Sequence, residues 1–167
     1  MTQLGSKGLK RLKMIHLFCA VMWIGGAVAL CMVLFLTDPE NGSEAHMRSL
    51  VLKVIDDFII IPGAVGNLLA GVIYGVWTKW GFFKQRWLTA KWILTVAQVL
   101  FGTFVLGPWV NANVKLAGEL GDAVLIDPLF LHNVMMSKFW GSVQTACLLL
   151  YIVISVLKPW KKTRQAN

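Results

Sequence analysis

Residues 13–36 read KMIHLFCAVMWIGGAVALCMVLFL. From Met14 to Leu36 there are 23 residues without Asp, Glu, Lys or Arg, and a helix needs about 20 apolar residues to cross a hydrocarbon core of roughly 30 Å. The stretch therefore predicts a transmembrane helix. Within it stands one imidazole, His16. Residues three and four apart share a helix face, so Cys19, Ala20, Trp23, Gly26 and Ala27 lie on the histidine's side. An ionisable group at membrane depth is costly enough to mark a functional site, and neutral imidazole is a common ligand of metals and haem iron.

Working outward, the whole chain has the same character. It has 167 residues, 57% hydrophobic and 14% charged, which does not describe a water-soluble domain. Three more apolar runs follow, and the predicted spans are 14–36, 58–78, 89–110 and 138–157. The fold class is all-α, an integral membrane four-helix bundle. The net charge of +8 is distributed by topology. Twelve of the 16 Lys and Arg lie before the first span, between the second and third, and after the fourth, whereas all eight acids lie in the other two loops. By the positive-inside rule both termini are cytoplasmic, N-in and C-in, in an inner membrane. The basic residues then meet anionic lipid headgroups, and nucleic acid is not an expected partner. The odd count of three cysteines, all within spans, argues for free thiols. The first apolar run is too long for a signal peptide and is read as retained.

The second helix is expected to start near Ser43, outside the membrane, and to kink at Pro62, which lacks a donor and crowds the preceding turn. Gly63, Gly66, Ala70, Gly71 and Gly75 form a stripe of small residues on it, read first as a close helix contact and second as a shelf for a flat cofactor. The third span carries a polar face of Lys91, Thr95, Gln98 and Gly102. Residues 110–126 are expected to be an outer loop, followed by an N-cap at Asp127 and Pro128 at the first helical position. Gly141, Gln144, Tyr151 and Ser155 share a stripe on the fourth helix. His46 is expected to be a solvated surface residue, and His132 belongs to the opposite leaflet from His16. Most tryptophans fall at the two boundaries as an aromatic belt, and Trp23 is the exception.

Depth along each helix at ~1.5 Å per residue places His16, Lys91, Tyr74 and Tyr151 in the cytoplasmic half. Four helices then contribute one polar residue each to one level, the arrangement from which bundle-core cofactor sites are built. Asn67 and Gln98 lie nearer the middle, where hydrogen bonding between helices is an adequate role. With Trp23 they complete the candidate cofactor-binding set. Two chemistries fit. One is haem b, with His16 as axial iron ligand and Lys91 pairing a propionate or serving as a second ligand. The other is copper, held by His16, Cys19 and Met22, because sulfur ligands suit Cu(I).

The same residues carry a resemblance. Lys13-x-x-His16 with Trp23-x-Gly25, Ile61-Pro62-Gly63 with Gly71, Trp87-Leu88-x-Ala90-Lys91, and Lys158-Pro159-Trp160 resemble signatures of the four-helix membrane superfamily of HemJ-type protoporphyrinogen oxidases and CopD-type copper-resistance proteins. The resemblance covers most of the chain apart from the first dozen residues and the outer loops. It implies haem b binding through His16 and Lys91, and an oxidoreductase coupling a lipid-accessible donor such as a porphyrin to quinone. The chain departs from the HemJ pattern in the fourth helix, where Gly141-Ser142-Val143-Gln144 stands in place of Asn-Glu-x-Pro. The expectation is therefore an uncharacterised branch that binds haem without strong protoporphyrinogen oxidase activity. The alternatives are a CopD-like copper-handling or small-solute membrane protein, and a cofactor-free assembly subunit; a homo-oligomer is compatible with each.

Overall fold

The computed structural model describes residues 5–78 and 86–157. Among them there are helices and no strands, arranged as four rods long and apolar enough to cross a membrane. The architecture is that of a multi-pass membrane protein. The first rod is α1 (Ser6–Leu36). The second joins α2 (Gly42–Ile55) to α3 (Ile61–Trp77) through a π turn, Asp56–Ile60. The third joins α4 (Arg86–Phe101) to α5 (Gly107–Leu120) through a second π turn, Gly102–Leu106, and ends in a 3₁₀ segment, Gly121–Ile126. The fourth is α6 (Pro128–Leu157). The chain thus enters and leaves the bundle at one end, the terminal end, and the opposite end is built from α2, α5 and the start of α6.

Proline shapes both interrupted rods in the same way. Pro62 and Pro108 have no N–H and crowd the turn before them. The backbone answers with one widened turn in each rod: the Ile61 amide donates to the Asp56 carbonyl, and the Gly107 amide to the Gly102 carbonyl. At Pro62 the sequence pattern points to the position of the irregularity, and its form is a π turn.

Residues 110–126 are helical, which corrects the expected outer loop. The reason is tertiary. Ala117 and Val124 bury against Ala45 and Phe130, a second small core that caps the bundle. The cap is closed by backbone contact, since a Cβ on Gly42 would collide with the Gly121 carbonyl group, and the Gly42 amide donates to Asp122 Oδ1 at 2.7 Å. Gly121 has φ +54°, where a side chain would be strained. Asn41 caps α2 by accepting from the Glu44 amide at 2.9 Å, while the Glu44 carboxylate accepts from the Glu40 amide at 2.8 Å. His46, expected to be solvated, packs instead with its buried Nδ1 edge against Gly118.

The main core joins Trp23 and Ala27 of α1 to Ala64 of α3 and to Leu148 and Tyr151 of α6. No described residue of 88–101 is buried. In its terminal half the third rod is held lightly, by Val99 against the main core and by side-chain contacts of Lys91 and Trp92.

Candidate cofactor site

The site begins where α1 crosses α3. A Cβ on Gly63 would lie 2.6 Å from the Trp23 amide nitrogen and 3.0 Å from the Cys19 carbonyl, and one on Gly66 would lie 2.5 Å from Cys19 Sγ. The glycine stripe is therefore filled by α1 over these two positions, by its backbone at Gly63 and by the Cys19 side chain at Gly66, and the next glycine, Gly71, is covered by the Trp92 ring, 3.2 Å from where a Cβ would stand. That part of the stripe is a helix contact rather than an open shelf. The close crossing sets the position of His16, which lies one turn before Cys19.

There the imidazole meets the Tyr74 ring edge-on, with centroids 5.7 Å apart and planes at 83°. It also lies against the Asn67 backbone, and Lys91 is close enough to act on it electrostatically. Its Nδ1 is buried without a hydrogen-bond partner among the described residues. Lys91 reaches from α4 to α6, donating to Ser155 Oγ at 2.5 Å, and Ser155 in turn donates to the Tyr151 carbonyl at 2.6 Å. Tyr151 faces Thr95.

These contacts belong to a regular antiparallel register between the third and fourth rods. Lys91 is level with Ser155, Thr95 with Tyr151, Gly102 with Gln144, and Asn113 with Asn133. Each step along the third rod is matched by an equal step back along α6. The polar faces predicted on these two helices are thus turned towards each other.

Of the predicted site residues, the fold gathers His16, Tyr74 and Lys91 at the terminal end, with Asn67 contributing backbone, whereas Tyr151 packs one turn further in, in the main core. Trp23 lies deeper, 2% exposed in the main core. Gln98 is also deeper, level with Leu148 by the register, and its Oε1 is buried without a hydrogen-bond partner among the described residues. The role of Ser155 as the Lys91 acceptor was not predicted; its sequence signal is its place one turn after Tyr151. Trp80 and the Lys158-Pro159-Trp160 ending lie outside the described residues.

His16 Nδ1 is a buried imidazole nitrogen without a hydrogen-bond partner among the described residues, and the Lys91 ammonium is near it. The donors for a copper site do not gather beside it. Among the described residues no three His, Cys, Asp or Glu side chains form a metal-ligating group, and Cys19 and Met22 are used in the tight crossing over Gly66 and Gly63. No protein-family model, no curated protein and no solved structure matches this chain.

Proposed function

We propose that this chain is a haem-b-binding protein of the inner membrane, with both termini cytoplasmic, and that it acts as an oxidoreductase between a lipid-accessible donor and quinone. The observation that carries the reading is the buried, unpartnered Nδ1 of His16 beside Tyr74 and Lys91. A buried imidazole nitrogen normally has a hydrogen-bond partner, and a bond to haem iron would satisfy this one. The alternate-end distribution of Lys and Arg supports the orientation, and the resemblance of the Lys13-x-x-His16 and Trp87-Leu88-x-Ala90-Lys91 segments to the HemJ-type proteins supports the cofactor.

Haem, when bound, supplies one-electron chemistry. The chain's own residues have separate tasks. His16 would hold the iron, with Tyr74 edge-on to the imidazole to keep its plane. Lys91, which donates to Ser155, would supply a positive charge for a propionate. The fourth helix offers Gln144 where a HemJ-type protein carries a carboxylate, and an amide does not transfer protons. The activity proposed is therefore electron transfer without strong protoporphyrinogen oxidation.

The test is an absorption spectrum and metal analysis of the purified protein with His16→Ala and Lys91→Met. We expect a Soret band in the parent and its loss from a folded His16→Ala protein. Lys91→Met should reduce occupancy while the helices remain intact. Full haem retention by His16→Ala would overturn the assignment. A colourless, copper-loaded parent would favour copper handling, and a colourless metal-free one an assembly role.

A further inference from the structure

On α6, Ser137, Gln144 and Tyr151 recur every seven residues, with Asn133 one turn before the first and Ser155 one turn after the last. Seven residues are close to two helical turns, so the five share one face. Through the register of the third and fourth rods that face looks onto Asn113, Gly102, Thr95 and Lys91, with Gln98 between Gly102 and Thr95. A polar line thus runs between the rods from Asn133 to Ser155, roughly 33 Å at 1.5 Å per residue, about the thickness of a hydrocarbon core.

The ends of this line are closed by direct bonds and its middle is not. Asn133 donates to Asn113 at 3.1 Å, and Lys91 donates to Ser155. Between them Ser137 Oγ, in a residue 6% exposed, and the Oε1 atoms of Gln144 and Gln98 are buried without a hydrogen-bond partner among the described residues. Ser137 and Gln144 border one partly open space of about 60 Å³ between the π turns and α6, with mainly apolar walls. Thr145 and Asp56 also face it. Asp56 stands at the start of the apolar span beside Lys53 and Asp57, whose paired side chains are 35% and 37% exposed. Burial, with Asp57 beside it, holds the Asp56 carboxyl above the usual carboxylate range, partly offset by Lys53. The other ionisable group facing the space is the Cys31 thiol, and the third rod and α6 bring no charge to it.

Buried acceptors need donors, and these lie too far apart to share one small ligand. Ser137 and Gln144 are separated by roughly 10 Å along the helix, a gap that about three waters bridge at about 2.8 Å per hydrogen bond. At about 10–15 Å³ for each water, the space holds about four to six, enough for the file and for the Asp56 carboxyl beside it. Apolar walls offer such waters no other partners, so each bonds chiefly to the next. We propose that waters held in file between the third and fourth rods carry protons between Asp56, towards the far end of the bundle, and the terminal end. The Asp56 carboxyl gives its proton to the first water, each water hands one to the next, one is released at the terminal end, and the carboxylate takes a replacement from the water outside. Only O–H bonds are made and broken. Gln144 and Gln98 hold the file by accepting from it and do not carry the proton, because an amide does not transfer protons. The path is separate from His16 and needs no haem.

Lipid vesicles holding the purified full chain and a trapped pH dye test it, with a potassium diffusion potential set by valinomycin as the driving force. The parent should change the internal pH several-fold faster than protein-free vesicles do. Asp56→Asn removes the group that gives and takes the proton, and Gln144→Leu replaces an acceptor with an apolar plug; each should lower the protein-dependent rate about tenfold or more. Val143→Leu, 41% exposed on another face of α6, should leave it unchanged. Ser137→Ala gives the comparison should Asp56→Asn fail to fold, with helical content read by circular dichroism in every variant. Hydroxyl-radical footprinting, with radicals made from water by X-rays, reads the file itself: Trp23, 2% exposed and facing the same space, should be labelled in the parent and lose the label in Gln144→Leu. A rate equal to that of protein-free vesicles, or one that the three line variants leave unchanged, would overturn the proposal. Labelling of Trp23 without proton flux would overturn it as well, and would leave the line with structural water only.

Discussion

At Gly63 the space for a side chain is already taken, by the Trp23 amide nitrogen 2.6 Å from an added Cβ and by the Cys19 carbonyl at 3.0 Å. Both are backbone atoms in the middle of a long helix, so neither moves without separating α1 from α3. Gly63→Ala should cost about 1–3 kcal/mol, the usual range for overpacking. Gly25→Ala is the control, because nothing lies within 4 Å of its added Cβ; it should change stability by less than about 1 kcal/mol, the helix-propensity difference. Thermal unfolding of the two variants in one detergent checks the pair, and equal losses would mean that the crossing is not tight. His16 and Lys91 were legible in the sequence for a plain reason: a basic group in an apolar run is conspicuous and costly. The buried, unpartnered hydroxyl of Ser137 was not. A hydroxyl in a helix commonly bonds its own preceding turn, as Ser49 and Ser142 do here, and only the tertiary arrangement distinguishes Ser137, which does not.

The register between the third and fourth rods makes the second π turn testable as an element. A π turn holds one more residue than the α-helical path it replaces, so deleting Val105 should let the segment close as ordinary helix. The two halves of the rod would then change phase by roughly 100°, the angle of one residue at 3.6 per turn. In a background without native cysteines, the pair Thr95→Cys with Tyr151→Cys should crosslink before the deletion and not after it, while Asn113→Cys with Asn133→Cys should crosslink in both. Loss of both pairs would indicate unfolding rather than a phase change. At this scale the apolar runs located four rods, because length and hydropathy are properties of the local sequence. The helical character of 110–126 was hidden, since Ala117 and Val124 carry a weak apolar signal and become core only against Ala45 and Phe130. Proline announced one irregular turn at Pro62, and Gly107-Pro108 carried the same signal for the other.

For the whole molecule, charge fixes the expected orientation and packing fixes where it is firm. Reporter fusions after residues 42, 84, 120 and 167 should read outside, inside, outside, inside; a cytoplasmic reading at 120 would sink the four-span arrangement and part His16 from Lys91. Firmness is uneven along the bundle. The far end is locked by the Gly42–Gly121 contact, by the Asp122 carboxylate on the Gly42 amide, and by the Asn133 amide donating to Asn113 at 3.1 Å. Towards the terminal end, residues 88–101 have no buried member. The third rod is consequently a lever, clamped at one end and lightly held at the other, with the turn at Gly102–Leu106 as its fulcrum. From Gly102 to Lys91 the arm is roughly 16 Å long at 1.5 Å per residue, so a tilt of about 10° sweeps the ammonium by roughly 3 Å, the length of a hydrogen bond. A small displacement at the clamped end is delivered at Lys91 as the making or breaking of its bond to Ser155.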